Sequence, residues 1–458
     1  MRQIARRALL RGGLCAAIWS RAPRLGAQSA APDAYRLLSA APGEAQILAL
    51  PAPKTKLLAF NGVSPGPLLR LRHGETLKLR LTNGLQQPTC LSFPGLRLPN
   101  ANAGIAGLTQ APLTPGASAD LVFTPPDSGF NLYAPHVGAN DAEQFQRGLY
   151  GPIIVDEPTP PAIDFESVVI LTDWRLDAQA QIKDDFGDAA LAQGAGRIGA
   201  LLGANGAPAP LEQVVAPGAR VRLRVANGAS ARILWLVIDG AKPLIIAIDG
   251  QPSESFEPLR NLIPLGPGAR FDMLFDMPRD AGALARFTLR GADTGALAGE
   301  ADQILLQFRA SGDARAARSA LVGLPANPAL PREIDLAGAH RADLIIGGGA
   351  GSRFSVNGTS FVDWAPKPFI AVPRGAPVSL GFVNKTAVTQ ALRLGGHVAR
   401  LLHGLDDGWE PYWRDIILVA PGKTARIAFV ADNPGKWPIE SSIPEHRQAG
   451  VGGWMQVG

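Results

Sequence analysis

The sequence predicts an all-β protein made of three tandem Greek-key β-sandwich domains, and two observations lead to this prediction. Glycine (52) and proline (40) make up about a fifth of the 458 residues without a G-X-Y period, which is typical of short strands joined by many turns. A pair of strand motifs also recurs three times in the same order. Because 46% of the residues are hydrophobic and only 18% are charged, the chain can bury several cores and is not predicted to be disordered.

The first motif of the pair begins at a glycine, alternates apolar and other residues, and ends at an asparagine nine positions later. It occupies Gly74–Asn83, Gly218–Asn227 and Gly375–Asn384. Alternation with a period of two predicts a half-buried strand. The terminal asparagine suits a turn, because asparagine tolerates a positive φ.

The second motif is Pro-Gly followed by a strand, with phenylalanine seven residues after the glycine. It occupies Gly116–Phe123, Gly268–Phe275 and Gly422–Phe429, which start 42, 50 and 47 residues after the corresponding first motifs. A Pro-Gly turn before a strand is common in any β protein, so one match means little. Two motifs recurring in one order at similar spacings predict a repeated structural unit.

The repeats divide the chain into successive units of about 120–150 residues, the size of a β-sandwich. The predicted divisions are a signal peptide at 1–30, domain 1 at 31–157, domain 2 at 158–310, a linker at 311–335 and domain 3 at 336–458.

The formal net charge of +5 is concentrated at the start of the chain. Residues 1–30 hold six arginines and no acidic residue, and the remainder has 38 basic against 39 acidic residues. A nearly neutral remainder lacks the basic surface that nucleic-acid binding requires. We therefore expect no nucleic-acid partner.

Residues 1–30 are predicted to direct export. The pair Arg6-Arg7 precedes an apolar stretch at 12–19, and small residues follow as far as Ala27 or Ala30, which is the order of a secretory signal. The string ARRALLR resembles the twin-arginine motif, whose pathway exports folded proteins, so the predicted location is periplasmic. The alternative is a disordered basic tail.

Membrane spans and disulfides are not predicted for the mature chain. No later segment has 18 uninterrupted apolar residues, the length that a spanning helix needs. Cleavage of the signal would remove Cys15 and leave Cys90 alone, so no internal disulfide can form. Cys90 is then a small buried apolar residue.

Three longer segments resemble multicopper oxidases, which are built from three cupredoxin domains. They are FNGVSPGPLLRLRHGE at Phe60–Glu75, GLYGPIIVDEP at Gly148–Pro158 and YWRDIILVAPGKTARIAF at Tyr412–Phe429. The resemblance implies oxidation of a substrate at a mononuclear copper, with electrons passing to a trinuclear copper cluster that reduces dioxygen. It also implies four motifs that supply ten histidines and one cysteine as ligands.

At these four motifs the chain departs from the family pattern. Only His136, in the second motif, and His446, in the fourth, match a ligand histidine, and Ser441 stands at the cysteine position. Val451 stands at the axial position, and the remaining histidine positions are occupied by Ser92, Pro94, Ala134, Gln390, Arg393, Gly395, Glu440 and Ser442. Serine does not replace a soft thiolate, and an arginine brings positive charge where copper would bind.

The pattern therefore predicts a family member that has lost its copper ligands, with no catalytic or cofactor-binding residue assigned. We expect Arg393 and Glu440 to pair across the space of the cluster, because buried charges need partners. The alternative is a rearranged metal site in which Cys90, His397 and His403 join His136 and His446. An isolated histidine is more often a hydrogen-bonded structural residue.

Three functions remain open from the sequence. The first is a non-catalytic envelope protein that binds a protein partner, as the resemblance to SufI-type cell-division proteins implies. The second is a laccase-type copper oxidoreductase with an unusual ligand set. The third is a periplasmic protein that binds a small molecule in the space between domains 1 and 3. The partner and the oligomeric state are not specified by any motif.

The export hypothesis predicts that Arg6→Lys combined with Arg7→Lys stops export. The twin-arginine motif presents two guanidinium groups, and lysine lacks their planar fork of donors. Fractionation of cells expressing either form measures the result. Normal periplasmic accumulation of the double variant would indicate the general secretory route.

Overall fold

The computed structural model describes residues 34–138, 141–292, 295–364, 367–403 and 408–458. The predicted signal peptide, residues 1–30, lies outside the described residues. Short strands dominate, and they form six sheets that associate in pairs around three apolar cores. The prediction of an all-β chain of stacked sheets is confirmed.

The first pair of sheets contains β1 to β7. One sheet has the order β2-β1-β4-β5 and the other has the order β3-β7-β6. The strands are β1 Arg36–Ala45, β2 Thr55–Phe60, β3 Leu69–Leu71, β4 Leu77–Asn83, β5 Ser118–Phe123, β6 Gly129–Tyr133 and β7 Gly151–Val155, with the helix α1 at Asp141–Gln146 before β7.

The second pair contains β8 to β19. Its sheets have the orders β10-β9-β8-β12-β17-β14-β15 and β11-β19-β18-β13-β16. The elements are β8 Phe165–Trp174, α2 Ala189–Ala192, β9 Leu201–Ala204, β10 Ala207–Pro208, β11 Leu211–Val215, β12 Arg220–Asn227, β13 Leu234–Asp239, β14 Leu244–Ile248, β15 Gln251–Phe256, β16 Leu262–Leu265, β17 Arg270–Asp276, β18 Leu284–Leu289 and β19 Gln303–Ala310.

The third pair contains β20 to β29. Its sheets have the orders β21-β20-β23-β27-β25 and β22-β29-β28-β24-β26. The elements are β20 His340–Gly349, β21 Ser352–Val356, β22 Ile370–Val372, β23 Pro377–Asn384, β24 Gln390–Leu394, β25 Arg400–Leu401, β26 Ile416–Val419, β27 Thr424–Val430, β28 Gly435–Ser441, α3 Pro444–Gln448 and β29 Gly452–Val457. Each pair lies within one of the ranges 31–157, 158–310 and 336–458, and we propose these ranges as the domain boundaries.

The two repeated motifs recur together because they bind one another. In each domain they form neighbouring antiparallel strands, β4 with β5, β12 with β17 and β23 with β27. In domain 1 the glycine of the second motif, Gly116, donates its N–H to the carbonyl of Asn83 at 2.7 Å. The same bond joins Gly268 to Asn227 at 2.9 Å and Gly422 to Asn384 at 2.9 Å.

The asparagine that ends the first motif has a different role from the one expected. None of the three has a positive φ; each is buried and uses its side chain to close the following loop. Asn83 Nδ2 donates to the carbonyls of Gln87 at 3.0 Å and Leu113 at 2.9 Å, and its Oδ1 accepts from the N–H of Leu85. Asn227 and Asn384 repeat this arrangement. Asparagine is needed here because it both donates and accepts.

Strand β12 departs from the predicted half-buried pattern, since all eight of its residues are buried. Its polar positions are arginines that lie against domain 1 and carry ion pairs. Arg222 contacts Glu157 at 2.5 Å and Asp272 at 2.6 Å, and Arg224 contacts Glu166 at 2.9 Å. The charged face of this alternating strand is therefore buried because it meets carboxylates of its own domain, Asp272 and Glu166, and Glu157 at the end of domain 1.

One arginine joins all three domains. Arg270, on β17, donates from Nη2 to Asn131 Oδ1 of domain 1 at 3.0 Å. The same nitrogen lies 2.9 Å from Asp415 Oδ1 of domain 3. Asp249 of domain 2 completes the junction, because its Oδ2 accepts from the backbone N–H groups of Asp415 and Ile416 at 3.1 and 3.0 Å. This junction fixes the positions of the three domains around the space described below.

Among the described residues, none of the helices is both long enough and apolar enough to cross a membrane.

We predict that Arg270→Met lowers the free energy of unfolding by about 3 kcal/mol, because it leaves buried carboxylates without their cation. Arg80→Met is the matched control: Arg80 pairs with Asp120 at the surface, where solvent screens the two charges, so we expect a much smaller loss of stability. Denaturant unfolding of the mature chain measures both variants. Equal losses in the two variants would contradict a structural role for the junction.

Candidate functional site

The positions of the four expected ligand motifs meet at the junction of domains 1 and 3. Ser92, Pro94, His136, Arg393, Gly395 and Glu440 line one cavity there, and apolar side chains such as Phe93, Leu98 and Trp437 form much of its remaining wall. The cavity leaves about 40 Å³ for the centres of water molecules, which is space for roughly three of them. The predicted site residues of all four motifs are therefore brought together.

A second cavity of similar size lies on the other side of His136 and Arg393. It is lined by Ala134 and Ser442, which also stand at expected ligand positions, and by Asp141 and Arg447. Pro94, His136 and Arg393 line both cavities. These three residues separate the two spaces.

A buried ion-pair network takes up the histidine that the second motif retains. His136 Nε2 lies 2.8 Å from Glu440 Oε1, and Arg447 Nη1 lies 3.1 Å from the same oxygen. Arg447 Nη1 also lies 3.0 Å from His136 Nε2. A hydrogen bond from His136 to Glu440 requires a proton on Nε2, because a carboxylate only accepts, whereas a hydrogen bond from Arg447 requires Nε2 without a proton, because a guanidinium only donates. Arg447 Nη2 also donates to Asp141 Oδ2, and Asp141 Oδ1 accepts from the backbone N–H of Val137.

Glu440 stays ionised because of its neighbours. Burial by itself raises the pKa of Glu440, but the charges of Arg447, His136 and Arg393 outweigh it and lower the pKa to about 2. An ionised carboxylate between a guanidinium and an imidazole is a strongly held, charge-assisted arrangement.

The expected ion pair between Arg393 and Glu440 is wrong. The two residues are directly opposite on β24 and β28, yet within the described chain the partners of Glu440 are His136 and Arg447. Arg447 reaches Glu440 from α3, closer than the guanidinium of Arg393. Burial lowers the pKa of Arg393 from its ordinary value, while the more distant charges of Asp415 and Glu440 act in the opposite direction.

Asp141 and Arg447 were missed by the sequence analysis. Both belong to short helices: α1 follows the second motif, and α3 lies within the fourth motif. Arg447 is the next residue after His446, and Asp141 comes five residues after His136. The signal that could have identified Asp141 and Arg447 is their position: an acidic residue lies close after His136, and a basic residue directly follows His446.

His446 and Gln390 do not line either cavity. His446 Nε2 lies 2.9 Å from the carbonyl of Gly194, and Nδ1 lies 3.2 Å from Gln390 Oε1. Burial lowers the pKa of His446 to about 4, so the ring is neutral at physiological pH. His446 therefore acts as a hydrogen-bonded core residue.

The residues of the expected cysteine and axial positions are also part of the packing. Ser441 Oγ donates to the carbonyl of Ala391 at 3.2 Å and accepts from the N–H of Ile443 at 3.1 Å. Val451 is buried in the core of domain 3.

The residues proposed for a rearranged metal site are dispersed. Cys90 Sγ accepts from Gln110 Nε2 at 3.1 Å, and burial raises the pKa of its thiol to about 11. His397 Nδ1 lies 3.1 Å from the carbonyl of Gly395, and burial lowers the pKa of this ring to about 4. His403 ends a described segment before residues 404–407. In the part of the chain that the structure describes, no three His, Cys, Asp or Glu residues form a group that could hold a metal.

The side chains at the site do not fit a copper centre. Copper in this family requires several imidazoles and a thiolate. The space between domains 1 and 3 has one imidazole, whose Nε2 already binds Glu440, and two guanidinium groups that repel cations. These side chains are suited to binding a ligand through charge and hydrogen bonds.

A second buried carboxylate on α3 lies beside the network. Glu445 Oε1 accepts from Gln146 Nε2 and lies 3.4 Å from Ser230 Oγ, so it joins α3 to domains 1 and 2. Burial raises the pKa of Glu445 from 4.5 to about 7, although the nearby Arg197 and Ser230 favour its charged form. This helix is therefore sensitive to pH.

Comparison with known proteins shows matches over nearly the whole chain. Two family profiles, both described as multicopper oxidase, match residues 43–160 and 326–458, which together are more than half of the chain. Multicopper oxidase MmcO of Mycobacterium tuberculosis is 26% identical over 93% of this chain and 88% of its own length. Laccase-4 of Trametes villosa is 25% identical over 85% of this chain and 84% of its own. Copper resistance protein A of Pseudomonas syringae is 39% identical, but over only 26% of this chain and 19% of its own.

Solved structures match in the same way. A multi-copper oxidase from Pseudomonas thermotolerans has a TM-score of 0.83 at 28% identity and covers 93% of this chain and 99% of its own. Lac15, from a marine microbial metagenome, has a TM-score of 0.76 at 28% identity and covers 93% of this chain and 100% of its own.

We predict that Glu445→Gln becomes more stable relative to the native chain as the pH rises from about 4 to 8. The folded state holds Glu445 protonated up to a pKa of about 7, whereas the unfolded chain releases this proton near pH 4.5. The native chain therefore loses up to about 3 kcal/mol over this range, and glutamine does not titrate. Denaturant unfolding at a series of pH values measures the difference. The exposed Glu44→Gln is the control, and an equally small change in both variants would contradict the prediction.

Proposed function

The chain belongs to the multicopper oxidase family, and on that premise we propose that it is a copper-free member that acts in the cell envelope by binding a partner. The observation that carries the proposal is the network of His136, Glu440, Arg447 and Asp141 at the position of the expected copper ligands. Charge-assisted bonds engage one ring nitrogen of His136, one oxygen of Glu440 and both terminal nitrogens of Arg447, whereas His136 Nδ1, Glu440 Oε2 and Arg447 Nε are buried without a hydrogen-bond partner among the described residues. A metal that binds through His136 Nε2 would have to displace Glu440, and a metal at either ring nitrogen would have to approach the guanidinium groups of Arg393 and Arg447 with a single imidazole as ligand.

The proposal has three further parts that follow from the sequence. Export by the twin-arginine route to the periplasm is supported by the Arg6-Arg7 leader. A protein partner in the envelope is supported by the resemblance to SufI-type proteins. The lack of an oxidase activity follows from the missing ligands, because a mononuclear copper and a trinuclear cluster each need several donors.

A laccase-type copper oxidoreductase is the second candidate. It is supported by relatives named multicopper oxidase and laccase that match most of the chain. Under this reading His136 and His446 would be ligands of an unusual copper site, and each would have to exchange its present hydrogen bonds for the metal. Metal content separates this candidate from the first.

Binding of a small molecule is the third candidate, and the two cavities around His136 and Arg393 support it. Proteins that remain bound after gentle purification would favour the scaffold role. A low-molecular-mass compound released on denaturation would favour the small-molecule role.

We predict that the exported protein, purified after growth with added copper, contains far less than one copper per chain and is colourless. A multicopper oxidase that binds copper, produced and loaded in parallel, controls for copper supply. Elemental analysis and the visible absorption spectrum are the measurements. Stoichiometric copper with the strong visible band of a thiolate or trinuclear site would overturn the proposal in favour of the oxidoreductase.

A further inference from the structure

Arg393 differs from the buried arginines of this protein. Eight arginines in the described chain are buried, and each lies within 4 Å of a carboxylate oxygen. Arg393 is partly buried, with its Nε sealed from solvent, yet its guanidinium makes no hydrogen bond or ion pair with any described residue. Taking a guanidinium out of water without a partner costs several kcal/mol in general. Arg286 and Arg400 are also partly buried with a sealed Nε and without an ion pair among the described contacts. Of the two arginines that line the cavities, however, Arg447 is paired and Arg393 is not.

The guanidinium of Arg393 is directed into the space between the domains. It lines both cavities, together with Pro94 and His136. Its Nη2 also lies close to the turn of domain 2, since a Cβ placed on Gly268 would be 2.8 Å from this nitrogen. A residue larger than glycine would push into the guanidinium at this point.

The nearby carboxylates are already engaged with other cations. Glu440 binds His136 and Arg447, and Asp415 lies 2.9 Å from Arg270. The charges of Glu440 and Asp415 raise the pKa of Arg393 only from longer range, and the charges of Arg270 and Arg447 lower it. Neither carboxylate forms a hydrogen bond or an ion pair with Arg393 among the described contacts, although Glu440 Oε2 and both oxygens of Asp415 lack hydrogen-bond partners.

The shape of the cavities limits which anion could neutralise the charge of Arg393. A guanidinium presents a planar fork of N–H donors that matches the two oxygens of a carboxylate. The first cavity has room for roughly three water-sized groups, and Phe93, Leu98 and Trp437 give it an apolar wall. A planar oxyanion with a very small apolar part, of the size of formate or acetate, fits both the charge and the wall.

We propose that Arg393 and the adjoining cavities form a binding site for a small carboxylate anion. The anion would accept two hydrogen bonds from the guanidinium and place its apolar end against the apolar side chains that line the two adjoining cavities. The inference rests on the proposed absence of copper, since the anion would occupy the space of the expected cluster.

Equilibrium dialysis of the mature protein against radiolabelled acetate tests the proposal. We expect about one acetate per chain, and affinity reduced roughly tenfold or more in Arg393→Met, which keeps the length of the side chain but removes its charge and donors. Arg426→Met is the matched control, because Arg426 lies in the same domain and pairs with Asp343 at the surface; its acetate binding should match that of the native chain. Failure of the native protein to retain acetate would overturn the proposal.

Two further measurements keep the result decisive. Without acetate, Arg393→Met should unfold at the same temperature as the native chain or a higher one, because it removes a buried charge without a partner; acetate should raise the unfolding temperature of the native chain only. A much lower unfolding temperature for the acetate-free variant would show that Arg393 has a partner within the protein and would contradict the proposal. If Arg393→Met does not fold, Arg393→Lys keeps the charge without the planar fork and should bind acetate more weakly.

Competition by chloride distinguishes the anions. A planar site should prefer acetate, and equal displacement by chloride at constant ionic strength would overturn the assignment to a carboxylate. Copper analysis of the same sample tests the proposed function separately from the anion site. Bound copper would refute the proposed function, whereas a copper-free protein that retains no acetate would refute this inference alone.

Discussion

The pairing of buried arginines with carboxylates is the constraint on which this structure depends. A guanidinium removed from water is tolerated only with compensating charge and hydrogen bonds. The interfaces between the domains supply this compensation: Arg97 joins Asp127 and Asp432, Arg222 joins Glu157 and Asp272, and Arg270 joins Asn131 and Asp415. Arg97 and Arg222 each have one partner in their own domain and one in a neighbouring domain, and Arg270 contacts both of the other domains. The contacts between domains form only when the domains are correctly placed, so they help to fix the arrangement of the three sandwiches.

The same constraint accounts for what stands at the expected copper position. Three charged side chains, Asp141, Glu440 and Arg447, surround His136 and bond to one another across domains 1 and 3. The network connects domains 1 and 3 at the position where the copper ligands of the family would connect them. Arg393 lines both cavities and has no ion-pair partner among the described residues, and for that reason it is the residue from which a ligand can be inferred.

The fold does not rely on this site. The three apolar cores lie inside the sheet pairs, and the repeated motifs close each domain through the asparagine side chain and the glycine N–H. Both features are local to a domain. A family member can therefore lose its copper ligands and keep the architecture, which explains how a TM-score of 0.83 to a multi-copper oxidase coexists with only two histidines at the ten expected positions.

The sequence by itself determined the all-β class, the threefold repeat and the motif positions that converge on one site, because strand alternation, Pro-Gly turns and ligand spacing are local patterns. Only the tertiary structure decided which charges meet. The register of β24 and β28 favoured a pair between Arg393 and Glu440, but α3 brings Arg447 to Glu440 and leaves Arg393 facing the cavities. Likewise the arginines of β12, polar by pattern, are buried because carboxylates of domain 2 and Glu157 at the end of domain 1 pair with them. Such pairings join residues distant in sequence, and their geometry depends on how whole domains pack.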